Sequence, residues 1–357
     1  MNIFLTGATG FLGGKLIQNL LKNKNHTLYV FARNIQKAAK LRQTFPASDQ
    51  QRIHIVEGDI TRPFGGLGEE DINWLKGKID AIYHLAALVK FDEELREELF
   101  ATNYDGTKHI LDLATAIGAK KFYYVSTAYT VGKGSNGVEA LYPMNHPTNN
   151  PYEESKVKSE HLVFSYNTKL DISIFRPAII VGDSKTGEAD SSFTLYGFMR
   201  ALELFKRKVS RYPSETSYRI LASKEGTSNL VPVDYVSDIL SLAPENAKPD
   251  TIYHITNPYP PTNEKLLTFI KDALHFEQLD IVEEVEIHEL MDVEKRLNEL
   301  IDVYQVYLTR NLSFKDDHTK ELISGTDIQH LLMTDDMIKL IIDAGVRNRQ
   351  AHTLSNS

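Results

Sequence analysis

The 357-residue chain contains no cysteine, which removes disulfides, thiolate zinc sites and any cysteine nucleophile from the chemistry open to it. The same absence fits a reducing compartment. No stretch is long and apolar enough to span a membrane, and the sequence enters a strand-like run at once, so a signal peptide is not expected and a cytoplasmic location is. Positive charge is in deficit: 40 Lys and Arg against 48 Asp and Glu leave a net charge of −8. A nucleic-acid backbone would be repelled, so no nucleic-acid partner is expected. No internal repeat or low-complexity tract is present, no metal site is expected, and the tail from about Arg347 reads as frayed. The 42% hydrophobic and 25% charged content is that of a globular protein with one large domain and an appended lobe.

Glycine carries the first positive signal. In Thr6-Gly7-Ala8-Thr9-Gly10-Phe11-Leu12-Gly13 the three glycines are spaced Gly-x-x-Gly-x-x-Gly. The apolar run Asn2-Ile3-Phe4-Leu5 precedes them, and Leu12, Leu16, Leu20 and Leu21 follow at helical spacing. Strand, glycine turn and helix form the context of a dinucleotide site: glycine lets the backbone approach a pyrophosphate, and the N–H groups of the helix's first turn bind it.

Strands and helices then alternate, which predicts an α/β fold with a doubly wound parallel sheet of Rossmann type. The second strand, Thr27 to Ala32, ends on Arg33, twenty residues past Gly13. An acidic residue there would hold the ribose hydroxyl of NAD, whereas an arginine suits the 2′-phosphate of NADP. Lys37, Lys40 and Arg42 add charge nearby. Strand Arg52 to Glu57 runs into Gly58-Asp59-Ile60, where Asp59 could accept from an adenine amine. Strand Ala81 to Leu85 ends in Ala86-Ala87, small enough for a cofactor to pass close, and His84 beside them reads as packing. Strand Lys121 to Val125 ends in Ser126-Thr127. Pro151 suits the first turn of a helix on which Tyr152 and Lys156 lie four apart and share a face. A phenol titrates near ~10 and needs a neighbouring cation to work as an acid or base at neutral pH; Lys156 can be that cation.

The glycine turn, the Ser126-Thr127 strand end and the Tyr152/Lys156 helix together resemble the extended short-chain dehydrogenase/reductase superfamily. His84 to Asp92, Asn103-Tyr104-Asp105-Gly106-Thr107 and Phe175 to Gly187 narrow the likeness to its thioester reductase branch, which includes reductase domains of carboxylic acid reductases and peptide synthetases and fatty acyl-CoA reductases. The likeness is close to about residue 275. It implies that Gly7, Gly10 and Gly13, with Thr9, Phe11 and Leu12, hold a pyrophosphate, Arg33 the 2′-phosphate of NADP(H), and Asp59 with Ile60 the adenine. Ala86 and Ala87 would line the cofactor, with Asn103 and Ser126 beside it, Lys156 would also bind the nicotinamide ribose, and the turn at Pro177 would approach the carboxamide. Counting back from Gly132, the family pattern puts the catalytic hydroxyl on Thr127, which would bond the reacting carbonyl while Tyr152 protonates the oxyanion. The implied substrate is an acyl thioester on CoA or an acyl carrier protein, reduced to aldehyde, with a further step to alcohol left open. Without a cysteine, reduction has to occur directly on the bound carbonyl.

The Rossmann domain is expected over 1–182, with a returning strand near 251–256. The substrate lobe, smaller and mostly helical, takes 183–250 and 257–357. Phe193 to Phe205 reads as a helix whose apolar side is core or the wall of an acyl pocket. Residues 283 to 305 read as one charged amphipathic helix with Ile287, Leu290, Val293, Leu297, Leu300 and Ile301 along a stripe; lid, packing and homodimer face all stay open for it. Arg200, Lys206, Arg207, Lys208 and Arg211 form a basic cluster suited to an anionic carrier. Two other readings remain: an enzyme of the same superfamily acting on a sugar nucleotide, ketone or aldehyde, and a non-catalytic NADP-sensing regulator.

Overall fold

The computed structural model describes residues 1–189, 194–210, 216–283, 285 and 287–355. It divides into two compact units, each made of three segments. The first holds Met1–Ala178, Tyr235–Thr256 and Phe314–His330; the second holds Ile179–Asp234, Asn257–Ser313 and Leu331–Ser357.

The first unit is built on a seven-stranded sheet of β1 (Asn2–Thr6), β2 (Thr27–Ala32), β3 (Ile53–Glu57), β4 (Ala81–His84), β5 (Lys121–Val125), β6 (Asp171–Pro177) and β7 (Thr251–Ile255). The order is β7-β6-β5-β4-β1-β2-β3, and every pairing is parallel. Parallel strands covered on both faces read as near-continuous apolar runs, and β1, β4 and β5 are buried almost throughout. The chain winds outward from β1 to β3, then returns to β4 on the other side of β1. That reversal opens a crevice at the carboxyl ends of β1 and β4, where an open α/β sheet binds its ligand.

Two segments assigned to the lobe from sequence sit instead with the sheet. Residues 235–250, which lead into the returning strand, are fastened by Asn19, whose side chain donates to Ser237 Oγ and Asp238 at 2.7 Å each. Two buried phenols add to this: Tyr83 donates to the Leu240 carbonyl (2.6 Å) and Tyr123 to that of Ala243 (3.1 Å). Residues 314–330 are held by Lys315 N–H donating to Gly137 O (3.0 Å) and by Glu139, which accepts from the backbone of both His254 (3.0 Å) and His318 (2.8 Å). Tyrosine hydroxyls and a single buried carboxylate give no periodic signal, so the sequence pattern did not reveal these attachments.

In the second unit, Ile179–Val181 pairs with Leu230–Pro232 and Tyr218–Leu221 with Leu279–Val282, both in parallel. The helix Leu195–Val209 buries Leu195, Phe198, Met199, Leu202 and Phe205, the stripe expected from spacing; Phe193 lies outside the described residues. An apolar cavity of about 50 Å³ is lined by Leu195, Phe198, Ile220, Leu266, Ile270 and Tyr307 among others.

The helix expected over 283–305 is not continuous. A short turn, Ile287–Glu289, is followed by separate helices Asp292–Leu300 and Asp302–Leu308, with Ile301 between them at φ −104°, ψ 5°. Glu294 sets where the first of these helices begins. Its fully buried carboxylate accepts from Met291 N–H (2.7 Å) and from the backbone and guanidinium of Arg219 (2.9 Å), which fixes the start of the first helix against the strand Tyr218–Leu221. Asn298 then accepts from Leu221 N–H at 2.9 Å. The carboxyl end of the chain, expected to fray, continues as the helix Asp335–Ser355.

Candidate active site

The crevice is shaped first by glycine. Gly7 follows β1 at φ +69°, and a Cβ there would stand 2.7 Å from Ala86 N, so the end of β4 can approach only because no side chain intervenes. A Cβ on Gly13 would run into the Gly7 carbonyl and Ala8. Gly10 donates to the Gly7 carbonyl (3.0 Å), and the helix Phe11–Leu20 begins with no side-chain cap and no acidic residue in its first turn. Its leading N–H groups, including those of Phe11 and Leu12, therefore suit an anion. Gly7, Thr9, Gly10, Arg33, Lys37, Asp59, Ile60, Ala86 and Ala87 line one open cleft of about 460 Å³.

At the outer end of the cleft, the Arg33 guanidinium is 81% exposed and 3.9 Å from the Asp59 carboxylate. Asp59 Oδ1 accepts from Thr61 N–H (3.0 Å) and Oγ1–H (2.8 Å), contacts that hold the acid below the usual carboxylate range. The Ile60 carbonyl accepts from His109 (2.9 Å). Arg33 thus presents a cation on a short leash, while Asp59 is already partly engaged.

His84 is structural, as its place at a strand end suggests. It is fully buried between Thr6 Oγ1 (2.7 Å from Nδ1) and Thr107 Oγ1 (3.0 Å from Nε2), and burial lowers it to about 3, so the ring stays neutral. Thr107 gives its own hydrogen to the Asn103 carbonyl (2.6 Å). It must therefore accept from His84 Nε2–H, which leaves Nδ1 to accept from Thr6. Asn103, counted with the cofactor residues from sequence, spends its side chain on the protein: it brackets Leu88 N–H (2.7 Å) and C=O (2.9 Å) and reaches Ser155 Oγ (3.0 Å). It positions the segment after Ala87, and it lies in a π turn, Ala101–Asp105, a form common at functional sites.

Ser126 and Thr127 end β5. The Thr127 hydroxyl accepts from Tyr129 N–H (3.2 Å), capping the turn Ala128–Val131, and keeps its own hydrogen to donate. The Ser126 hydroxyl is buried with no partner among the described residues, which suits a group that a bound ligand satisfies. Pro177 closes β6 opposite Ile255.

The helix Pro151–Phe164 starts as expected, with Pro151 at its first position and Asn150 capping Glu153 N–H at 3.0 Å. Tyr152 is half-buried, with Phe91 edge-on at 6.0 Å. Desolvation and the Glu153 carboxylate push its phenol above the ordinary value. The lysine is fully buried and turned to β5, where Nζ donates to the Val125 carbonyl (2.9 Å) and the Tyr124 hydroxyl (3.2 Å), and burial lowers it to about 7. Helical spacing put the two residues on one face but could not foresee that β5 would offer the ammonium two acceptors.

Two further groups escaped sequence reasoning. Arg176 is fully buried and bidentate to Glu160 at 2.8 and 2.6 Å, and it also donates to the Val138 and Ala140 carbonyls. The only hint was that Glu160 follows Lys156 by one helical turn. Tyr124 was hidden in a strand whose aromatics all read as core. Of the basic cluster, Lys206 donates to the Leu274 carbonyl (2.7 Å) and Arg207 pairs with Glu203 (2.8 Å), while Arg211 lies outside the described residues.

A parallel Rossmann sheet with a glycine-lined cleft, a hydroxyl strand end and a tyrosine-lysine helix defines an oxidoreductase of the extended short-chain dehydrogenase/reductase class. Within it, the chain belongs to the male sterility protein family of NAD-binding, thioester reductase-like proteins, whose model matches residues 5–240. It is 27% identical over 286 residues to a linear gramicidin synthase of Brevibacillus parabrevis, covering 75% of this chain and 5% of that protein. To fatty acyl-CoA reductase 1 of Rattus norvegicus it is 30% identical over 225 residues, covering 50% of this chain and 43% of that protein. The chain thus spans less than half the length of either relative. Among solved structures, the terminal R domain from the myxalamid PKS-NRPS biosynthetic pathway superposes with a TM-score of 0.78 at 26% identity, covering 97% of this chain and 90% of that one. No helix among the described residues is long and apolar enough to cross a membrane.

Proposed function

We propose that this protein is an NADPH-dependent reductase that acts on an acyl thioester carried by CoA or an acyl carrier protein. The observation that carries the reading is the bond from Lys156 to the Val125 carbonyl, which ties the Tyr152 helix to the strand end bearing Ser126 and Thr127. The cofactor site fits its group on three counts: the cradle that Cβ atoms on Gly7 and Gly13 would fill, the uncapped helix start at Phe11, and the unsatisfied Ser126 hydroxyl. When bound, the nicotinamide supplies the hydride. Thr127, already accepting from Tyr129, donates to the substrate carbonyl and polarises it. Tyr152, kept protonated by burial, gives its proton to the oxygen as negative charge develops there. Lys156 binds the ribose and holds positive charge beneath the phenol. The relatives' reductase names support an acyl substrate.

The test is NADPH oxidation against acyl-CoAs and acyl carrier proteins, with the products identified. Turnover on ketones or sugar nucleotides, with none on thioesters, would refute the substrate assignment. The cofactor preference has its own check. Arg33→Ala should weaken NADPH binding about ten- to a hundredfold, the loss of one charge-assisted contact to phosphate, and leave NADH binding nearly unchanged. Equal weakening of both would make Arg33 a structural residue.

A further inference from the structure

Burying a lysine among aromatic residues costs the charged form its hydration, so the acceptors around the ammonium decide whether it stays charged. At Lys156 those acceptors come from β5. Nζ lies 2.9 Å from the Val125 carbonyl, 3.2 Å from the Tyr124 hydroxyl and 4.7 Å from the centre of the Tyr124 ring. Tyr124 is itself 1% exposed. An ammonium carries donors only, so the phenol oxygen meets Nζ as an acceptor.

We propose that Tyr124 is a positioning residue that acts through Lys156: its hydroxyl holds the ammonium at the end of β5, keeps it charged, and leaves the third N–H to point at the cofactor. The proposal rests on the tyrosine-lysine reading of the site. The other charged and titratable groups around Lys156 do not replace this role. Glu160, one turn along the same helix, favours the charged lysine but is bound bidentately by Arg176 from β6. His84 from β4 is neutral, and Tyr152, one turn earlier, keeps its proton.

Tyr124→Phe keeps the ring and its π face and removes only the acceptor. One charge-assisted hydrogen bond corresponds to about one to two pH units, and its loss makes Lys156 lose its proton at lower pH. The direct measurement is an NMR titration of the Lys156 ε-carbon in full-length protein labelled with ¹³C-lysine, assigned with Lys156→Arg. In the variant the midpoint should fall below its wild-type position by about one to two pH units. In turnover, the alkaline limb of kcat should move down by the same interval, so that activity lost at pH 8 returns in part on acidification. An unmoved Lys156 titration, or a loss of kcat uniform across pH, would overturn the role. If Tyr124→Phe does not fold, Tyr124→Met removes the same acceptor with a flexible apolar side chain; a shift in the same direction supports the proposal and no shift overturns it. A wild-type protein that reduced no thioester, yet showed the NMR shift in Tyr124→Phe, would refute the proposed substrate and uphold Tyr124.

Discussion

Tyr152→Phe is expected to bind NADPH almost as tightly as the wild type and to reduce its substrate at least about 10²-fold more slowly, the usual contribution of a positioned general acid. The ring's contact with Phe91 survives the change, so the loss should fall on kcat. The direction of the phenol's shift also separates two pH effects. Because burial raises Tyr152, the donor stays protonated throughout the neutral range. Lys156, lowered to about 7, is charged below that pH and neutral above it, so the alkaline decline of activity belongs to the lysine. Stopped-flow measurement of NADPH oxidation would check both. A Tyr152→Phe enzyme with kcat within a few-fold of wild type would remove the tyrosine from the mechanism.

The largest loss of stability is expected at Arg176→Ala. The substitution leaves Glu160, 1% exposed, with no countercharge in the protein interior and also removes the donors to the Val138 and Ala140 carbonyls. Breaking one side of a buried pair costs about 3–5 kcal/mol, a large share of the roughly 5–15 kcal/mol that holds a domain folded. Replacing both members with uncharged residues, Arg176→Met with Glu160→Gln, should cost less than Arg176→Ala alone, because no lone charge remains buried. Equilibrium urea denaturation measures the two against wild type. A loss below about 1 kcal/mol for Arg176→Ala, the scale of an exposed pair, would contradict the burial argument.

The sheet was legible because its signals are local and repeated. Each buried strand is an apolar run, Pro151 announces a helix start, and Gly7 and Gly13 occupy positions where a Cβ has no room. The lining of the cleft followed from counting forward from those elements, which is why Arg33, Asp59 and Ala86 were found by position alone. What spacing could not supply was the direction of side-chain hydrogen bonds. Lys156 faces Tyr124, Asn103 faces Leu88 and Glu294 fixes a helix start against Arg219, and each partner comes from another element of the fold. The 283–305 stripe misled for the same reason: its apolar residues recur at helical spacing, yet Leu300 is 49% exposed and Ile301 fully buried in a bend.

The alternation of segments between the two units constrains how such a protein can be dissected or rebuilt. The chain passes from one unit to the other at 178/179, 234/235, 256/257, 313/314 and 330/331, so no single cut releases either unit as an uninterrupted polypeptide. A gene truncated after codon 313 would lose not a tail but part of the sheet-bearing unit, including the Thr319 hydroxyl that donates to the His254 carbonyl at 2.6 Å. Recombination that replaced the second unit would accordingly have to exchange three separate stretches together.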